Sequence, residues 1–234
     1  GSEMCIRDSS NLGAVKIRIR SLIEAAEKRE FEKIDAELEG LLDDDPVMFT
    51  KEMKEDYTIL MPQMSPLHFS IFEPILRHEG INIELLEDSG HKVVNEGLKY
   101  VNNDACYPSI FVVGQFMDAV KSGKYDTNRL ALLMSQTGGA CRASNYVGFI
   151  RKALKDAGYG HVPVIGLSFQ GIEKHTGLEF DKKQLVRIGR KLIQGMLYAD
   201  LIMRLTQATR PYEVIKGSAN ILRDRWIDIT TSED

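Results

Sequence analysis

Four short apolar, β-branched runs punctuate the chain, at residues 57–63, 81–87, 130–136 and 162–169, and a helix-patterned stretch follows each. That alternation is the strongest constraint on the fold. Strands that alternate with helices pair in parallel, because each crossover returns the chain to the same edge of the sheet. The runs carry apolar residues at successive positions, as strands covered on both faces do. The intervening stretches have helix punctuation. In "SPLHFSIFEPILRHEG", Ser65 is the expected N-cap, Pro66 the first helical residue and Gly80 the stop, with a kink expected at Pro74. "HKVVNEGLKYV", "CYPSIFVVGQFMDAVKSGKYD" and "SNYVGFIRKALKDAGYG" read as three more helices. A long helix is expected over 182–207, with Leu185, Ile188, Leu192, Met196, Leu197, Leu201 and Leu205 on its apolar side, stopped by Pro211; a last short helix holds Trp226. The expected class is α/β: a Rossmann-like parallel sheet with helices on both faces, an N-terminal helical segment and a long C-terminal helix.

Length suits one medium domain plus an appendage. Residues 55–230 form the expected α/β domain, and residues 10–50 a helical linker or docking segment with apolar residues such as Val15, Ile19, Leu22 and Leu38 at helical spacing. The first nine residues, "GSEMCIRDS", back-translate to match the end of a transposon-based sequencing adapter. Cys5 is therefore expected to carry no biology, and the chain to be a C-terminal piece of a larger protein. The net charge of −4, with 43% hydrophobic and 27% charged residues, gives no basic excess that would suit nucleic acid. No apolar run approaches the roughly 20 residues of a membrane-spanning helix. Two remaining cysteines make no disulfide framework, so the expected setting is the reducing cytoplasm.

Those two cysteines, Cys106 and Cys141, both stand where a turn enters a helix. Cys141 lies in "TGGACRASN", between the third strand and its helix, with Ser144 or Asn145 as the candidate N-cap. Gly138 and Gly139 permit a tight turn whose amides, with the helix N-terminus behind them, suit an anion. The helix dipole and Arg142 favour a thiolate there. Cys106, in "NNDACYP", precedes Pro108 and another helix start, where a thiolate is favoured for the same reason. Two such loops at one sheet edge can converge on one site. The competing readings are a small buried hydrophobe for each cysteine and a plain turn for the glycines. The P-loop and dinucleotide glycine spacings are absent. His68, His78, His91, His161 and His175 fit no metal-ligand spacing, and no Ser-His-Asp arrangement stands out.

"LMPQMSPLHFSIFEPILR", "GLKYVNNDACYPSIFVVGQ", "MSQTGGACRASNYVGFIRKALKDAGYGHVPVIGLS" and "RPYEV" together resemble the large proteins related to 2-hydroxyacyl-CoA dehydratases and their activases. The resemblance spans residues 59–226, and its most specific pieces are "NNDACYP" and "QTGGACRASNY". It implies an oxygen-sensitive iron–sulfur protein of anaerobic metabolism, in which cysteine thiolates hold a cluster between Rossmann-like domains. An ATPase activator domain, fused or separate, would feed that cluster low-potential electrons, and the dehydratases would use one to eliminate water from an acyl-CoA. Carried onto this chain, Cys106 and Cys141 become metal ligands, with Gly138, Gly139 and Arg142 as the cofactor-binding loop. Ala140 departs from a triple-glycine form of that loop.

A cubane cluster takes four thiolates, or three with an external ligand, and this chain offers two. Either the other ligands lie in a second cysteine-bearing domain, in a missing N-terminal part or a partner chain, or the fragment binds no cluster. The resemblance implies a fragment inactive alone in a lyase or reductase system. Two other readings stand beside it. One is a metal-free α/β module whose glycine loop holds a CoA or phosphate anion. The other is a structural domain that docks the activator through its long helix.

Overall fold

The computed structural model of the chain describes residues 46–102, 105–136, 142–168, 176–178 and 180–232. The helical segment expected within 10–50 lies outside them up to residue 45, as do the first nine residues. In chain order the elements are α1 (Lys51–Asp56), β1 (Thr58–Pro62), α2 (Pro66–His78), β2 (Ile83–Leu86), α3 (His91–Gly97), α4 (Tyr107–Lys121), β3 (Leu130–Gln136), α5 (Tyr146–Asp156), β4 (Val164–Ser168), α6 (Lys182–Thr209) and α7 (Ser218–Ser232). The strands form one parallel sheet in the order β2-β1-β3-β4. β3 fills its apolar run completely, and the other three strands are trimmed at their ends, where the chain turns toward its helices.

Side chains alternate across a strand, and that alternation explains how apolar runs hold two layers of helices. Leu60, Leu86, Leu130, Leu132, Met134 and Val164 face one way, onto Val113, Phe116 and Val120 of α4 and Tyr146, Ile150 and Leu154 of α5. Their odd-numbered neighbours Ile59, Met61, Ile83, Leu85, Ala131, Leu133 and Ile165 face the other way, onto Phe49, Phe69 and Leu76. Each such fully buried aliphatic side chain stabilises the fold by about 1.5–3 kcal/mol. Both faces of the sheet are therefore covered, as the sequence pattern requires.

α2 starts at Pro66, runs unbroken through Pro74 and ends before Gly80, whose φ of 81° is the left-handed conformation a glycine takes without strain. α6 lies outside α2 and forms an outer layer on that side. Here the structure corrects the sequence reading. α6 buries Ile188, Gly195, Ala199 and Ile202, whereas Leu185, Met196, Leu197, Leu201 and Leu205 are exposed. Small residues let the two helices approach closely; a Cβ on Gly195 would stand 3.0 Å from Ile71 Cγ2. The seam therefore follows the glycine and alanine, and the long leucines are left on other faces. Glu79, at the end of α2, fixes the contact electrostatically. Its carboxylate accepts from Arg187 Nη2 at 2.6 Å and Lys191 Nζ at 2.9 Å, both on α6.

Candidate functional site at the carboxyl edge of the sheet

With the order β2-β1-β3-β4, the connections diverge between β1 and β3. α2 leaves β1 onto one face of the sheet and α5 leaves β3 onto the other. In open α/β sheets ligands bind in the crevice outside the carboxyl ends of such a strand pair. Gln63 follows β1 at the foot of that crevice, and Gln136 ends β3 beside it. Gln115 of α4, almost wholly buried, braces this foot. Its Oε1 accepts from Gln63 N at 3.0 Å, and its Nε2 donates to Asp88 O at 2.9 Å, beyond the end of β2. The buried Oε1 of Gln63 accepts no hydrogen bond among the described residues, an arrangement that costs about 1–3 kcal/mol for a buried polar group.

On one face, Cys106 is the N-cap residue of α4, and its carbonyl accepts from Ser109 Oγ at 2.7 Å. Cys106 is half-buried against the core on that face, and its Sγ stands 3.1 Å from the Tyr146 hydroxyl, where either atom can donate. Tyr146 is the first residue of α5, reached through a 3-10 turn over Arg142–Asn145. Cys106 is thus brought to the start of the helix into which the Cys141 loop leads. Cys141, Gly138 and Gly139 themselves lie outside the described residues, and Arg142 is described only through its backbone. Of the two candidate N-caps, Asn145 takes the position, without a side-chain capping bond.

On the opposite face stands a constellation that the sequence reading missed. Ser65 is the N-cap of α2, as expected, yet its hydroxyl makes no capping bond. It lies instead 2.8 Å from His68 Nδ1, and His68 Nε2 lies 3.1 Å from Asp200 Oδ1 on α6. The imidazole is mostly buried, with the Phe72 ring edge-on to it, whereas Asp200 is 56% exposed. A serine three residues before a histidine was visible in the sequence as an N-cap and third-position pair. Asp200 is 132 residues further on, on a helix whose polar residues Tyr198, Asp200 and Arg204 read as packing or a solvated face, and nothing local announces its pairing with His68.

A cleft of about 480 Å³ lies elsewhere, along the outer edge of β2, and several of its charges are paired within it. Burial pushes the Glu84 carboxyl up, but hydrogen bonds from Lys124 and Tyr125 outweigh it and leave the net shift downward. Lys92 pairs with Asp118 at 2.8 Å in the same cleft. It is a solvated ion-pair surface and holds neither the thiol nor the Ser65 chain. Among the described residues no group of three or more His, Cys, Asp or Glu side chains could hold a metal ion, and no helix is long and apolar enough to cross a membrane. No family model, curated protein or solved structure matches the chain.

Proposed function

We propose that the chain is part of an iron–sulfur, electron-transferring protein related to the 2-hydroxyacyl-CoA dehydratases and their ATP-dependent activases, and that Cys106 and Cys141 are cluster ligands. The observation that carries the reading is the position of Cys106: a half-buried cysteine at the start of a 15-residue helix, against the first residue of the helix that follows the Cys141 loop. A helix N-terminus favours the thiolate, the form that binds a metal. The donor set fits a cluster only in part. The chain brings two candidate thiolates, Cys106 alone is described, and a cubane needs four, or three with an external ligand. The remaining ligands come, on this reading, from a second cysteine-bearing domain. A bound cluster would supply single-electron transfer, with the ATPase activator as its donor and an acyl-CoA as its acceptor. Gly138, Gly139 and Arg142 would stand close to the ligand's negative charge. The protein would work in the cytoplasm of an anaerobe.

Anaerobic reconstitution with iron and sulfide tests this reading on the chain and its Cys106→Ser and Cys141→Ser variants. Bound iron that falls in both variants supports it. Iron content that neither substitution changes would leave the two cysteines as packing residues.

A docking role is favoured by a separate observation, the exposed apolar residues on the outer face of α6, among them Val186, Ile193 and Leu197. On that reading the activator covers this face. Leu197→Glu would then weaken its association while leaving iron content unchanged.

A further inference from the structure

We propose that Ser65, His68 and Asp200 form an acyl-transfer site at the switch-point crevice, with Ser65 as nucleophile toward an ester or thioester carbonyl. The proposal stands apart from the iron–sulfur reading and needs no metal.

The chain of contacts fixes the chemistry. An ionised carboxylate can only accept, so Asp200 Oδ1, at 3.1 Å, places the imidazole proton on Nε2. Nδ1 is then a bare acceptor, and the Ser65 hydroxyl 2.8 Å away donates to it. A nucleophile within hydrogen-bond reach of a base, with that base oriented by a third group, is the arrangement that activates a serine. The alternative use of the hydroxyl, capping α2, is not taken up: Ser65 makes no side-chain capping bond although it occupies the N-cap. That leaves the first-turn amides of Leu67 and His68 without an intrahelical partner, next to the nucleophile and at the positive end of the α2 dipole. Pro66 has no N–H, so those two amides are the donors available to a developing oxyanion. Strand, short turn, serine and helix N-terminus follow one another at the carboxyl edge of the sheet, where a ligand of an open α/β fold binds.

In the first step Ser65 Oγ bonds to the acyl carbon, and its proton passes to His68 Nδ1. The bond from that carbon to the alcohol or thiol then breaks, and the leaving group takes the proton. Water next attacks the acyl-serine, His68 accepts its proton, and Ser65 Oγ departs and is reprotonated. The net change is ester or thioester plus water to acid plus alcohol or thiol. Asp200 is a positioning residue that holds the tautomer.

The test exposes the 234-residue chain to a fluorophosphonate, which phosphonylates an activated serine with loss of fluoride, and locates the adduct by peptide mass spectrometry. A single adduct on Ser65 is expected, absent in Ser65→Ala and formed roughly 10²-fold more slowly in His68→Gln, as the loss of a general base requires. Asp200→Asn tests the chain from an exposed position that does not threaten folding. Its amide can donate to Nε2 and so favours the wrong tautomer, and labelling is expected to slow although the thermal midpoint holds. With p-nitrophenyl acetate, an acetyl group should appear on the same serine. No adduct on Ser65 in the folded chain, or equal rates in Asp200→Asn and the parent, would overturn the proposal and leave the three residues as a tie between α2 and α6.

Discussion

Glu79 shows how one residue can hold two elements together. Its side chain is almost fully buried, with Arg187 and Lys191 reaching it from α6. The Arg187 hydrogen bond, and then that from Lys191, outweigh the opposing effect of burial and draw the carboxyl down to about 2. An unfolded glutamate titrates near about 4.3. Because the folded value is the lower one, the contribution to stability is complete above the unfolded value and is lost as pH falls from there toward about 2. Glu79→Gln should therefore lower the thermal midpoint at pH 7. The gap between variant and parent should close progressively between about pH 4 and pH 2. A constant gap across that range would mean that the ion pair contributes nothing. Residues of this kind mark the limit of the sequence. Ser65, Pro66 and Gly80 were legible because capping and helix termination are local chemistry. The partners Arg187 and Asp200 lie more than a hundred positions from Glu79 and His68. No pattern near either site shows that α6 folds back over α2.

At the scale of elements, the closest approach at a glycine among the described residues is between α3 and α4. A Cβ on Gly97 would stand 2.0 Å from the carbonyl oxygen of Ile110, and one on Gly114 would stand 2.0 Å from that of Val93. Those clashes are with backbone, which cannot rotate away, so the helices must part. Gly114→Ala should cost roughly 1–3 kcal/mol, the range for an overpacked core, and should appear as a lower midpoint in chemical denaturation. Gly189 is the control, since a Cβ there meets nothing within 4 Å. Gly189→Ala should raise stability by about 0.5–1 kcal/mol, the ordinary gain for a helix interior. If both substitutions destabilise equally, the close crossing is not the cause. The strands and most helices were legible because their signal is periodicity. The α2–α6 seam was not, because apolarity alone predicted leucine where close approach demanded glycine and alanine. At the candidate site the Cys106 junction was legible as a helix start. The meeting of Cys106 with Tyr146 depends on strand order, which local sequence does not encode.

For the whole molecule, the layer that begins with the sheet and α2 continues outward to α6 and α7, and it ends on an apolar surface. In a helix each residue advances about 100°, and Val186, Ile193 and Leu197 therefore stand opposite the seam of Ile188, Gly195, Ala199 and Ile202. The first three are 71%, 56% and 64% exposed, and Leu222 and Trp226 of α7 are exposed as well. A helix that is apolar on both sides normally lies between two partners, and exposed apolar clusters of this kind mark interaction surfaces. The chain in isolation should therefore bind an apolar-surface dye and sediment faster as its concentration rises. Ile193→Glu with Leu197→Glu should suppress both effects. Because neither side chain packs against the core, the double substitution should leave stability within about 1 kcal/mol of the parent, twice the usual ±0.5 for one surface change. A parent chain that ignores the dye and sediments at one rate across a hundredfold dilution would refute the expectation. Suppression accompanied by a large fall in the midpoint would count against it too, because it would make these side chains part of the folded core.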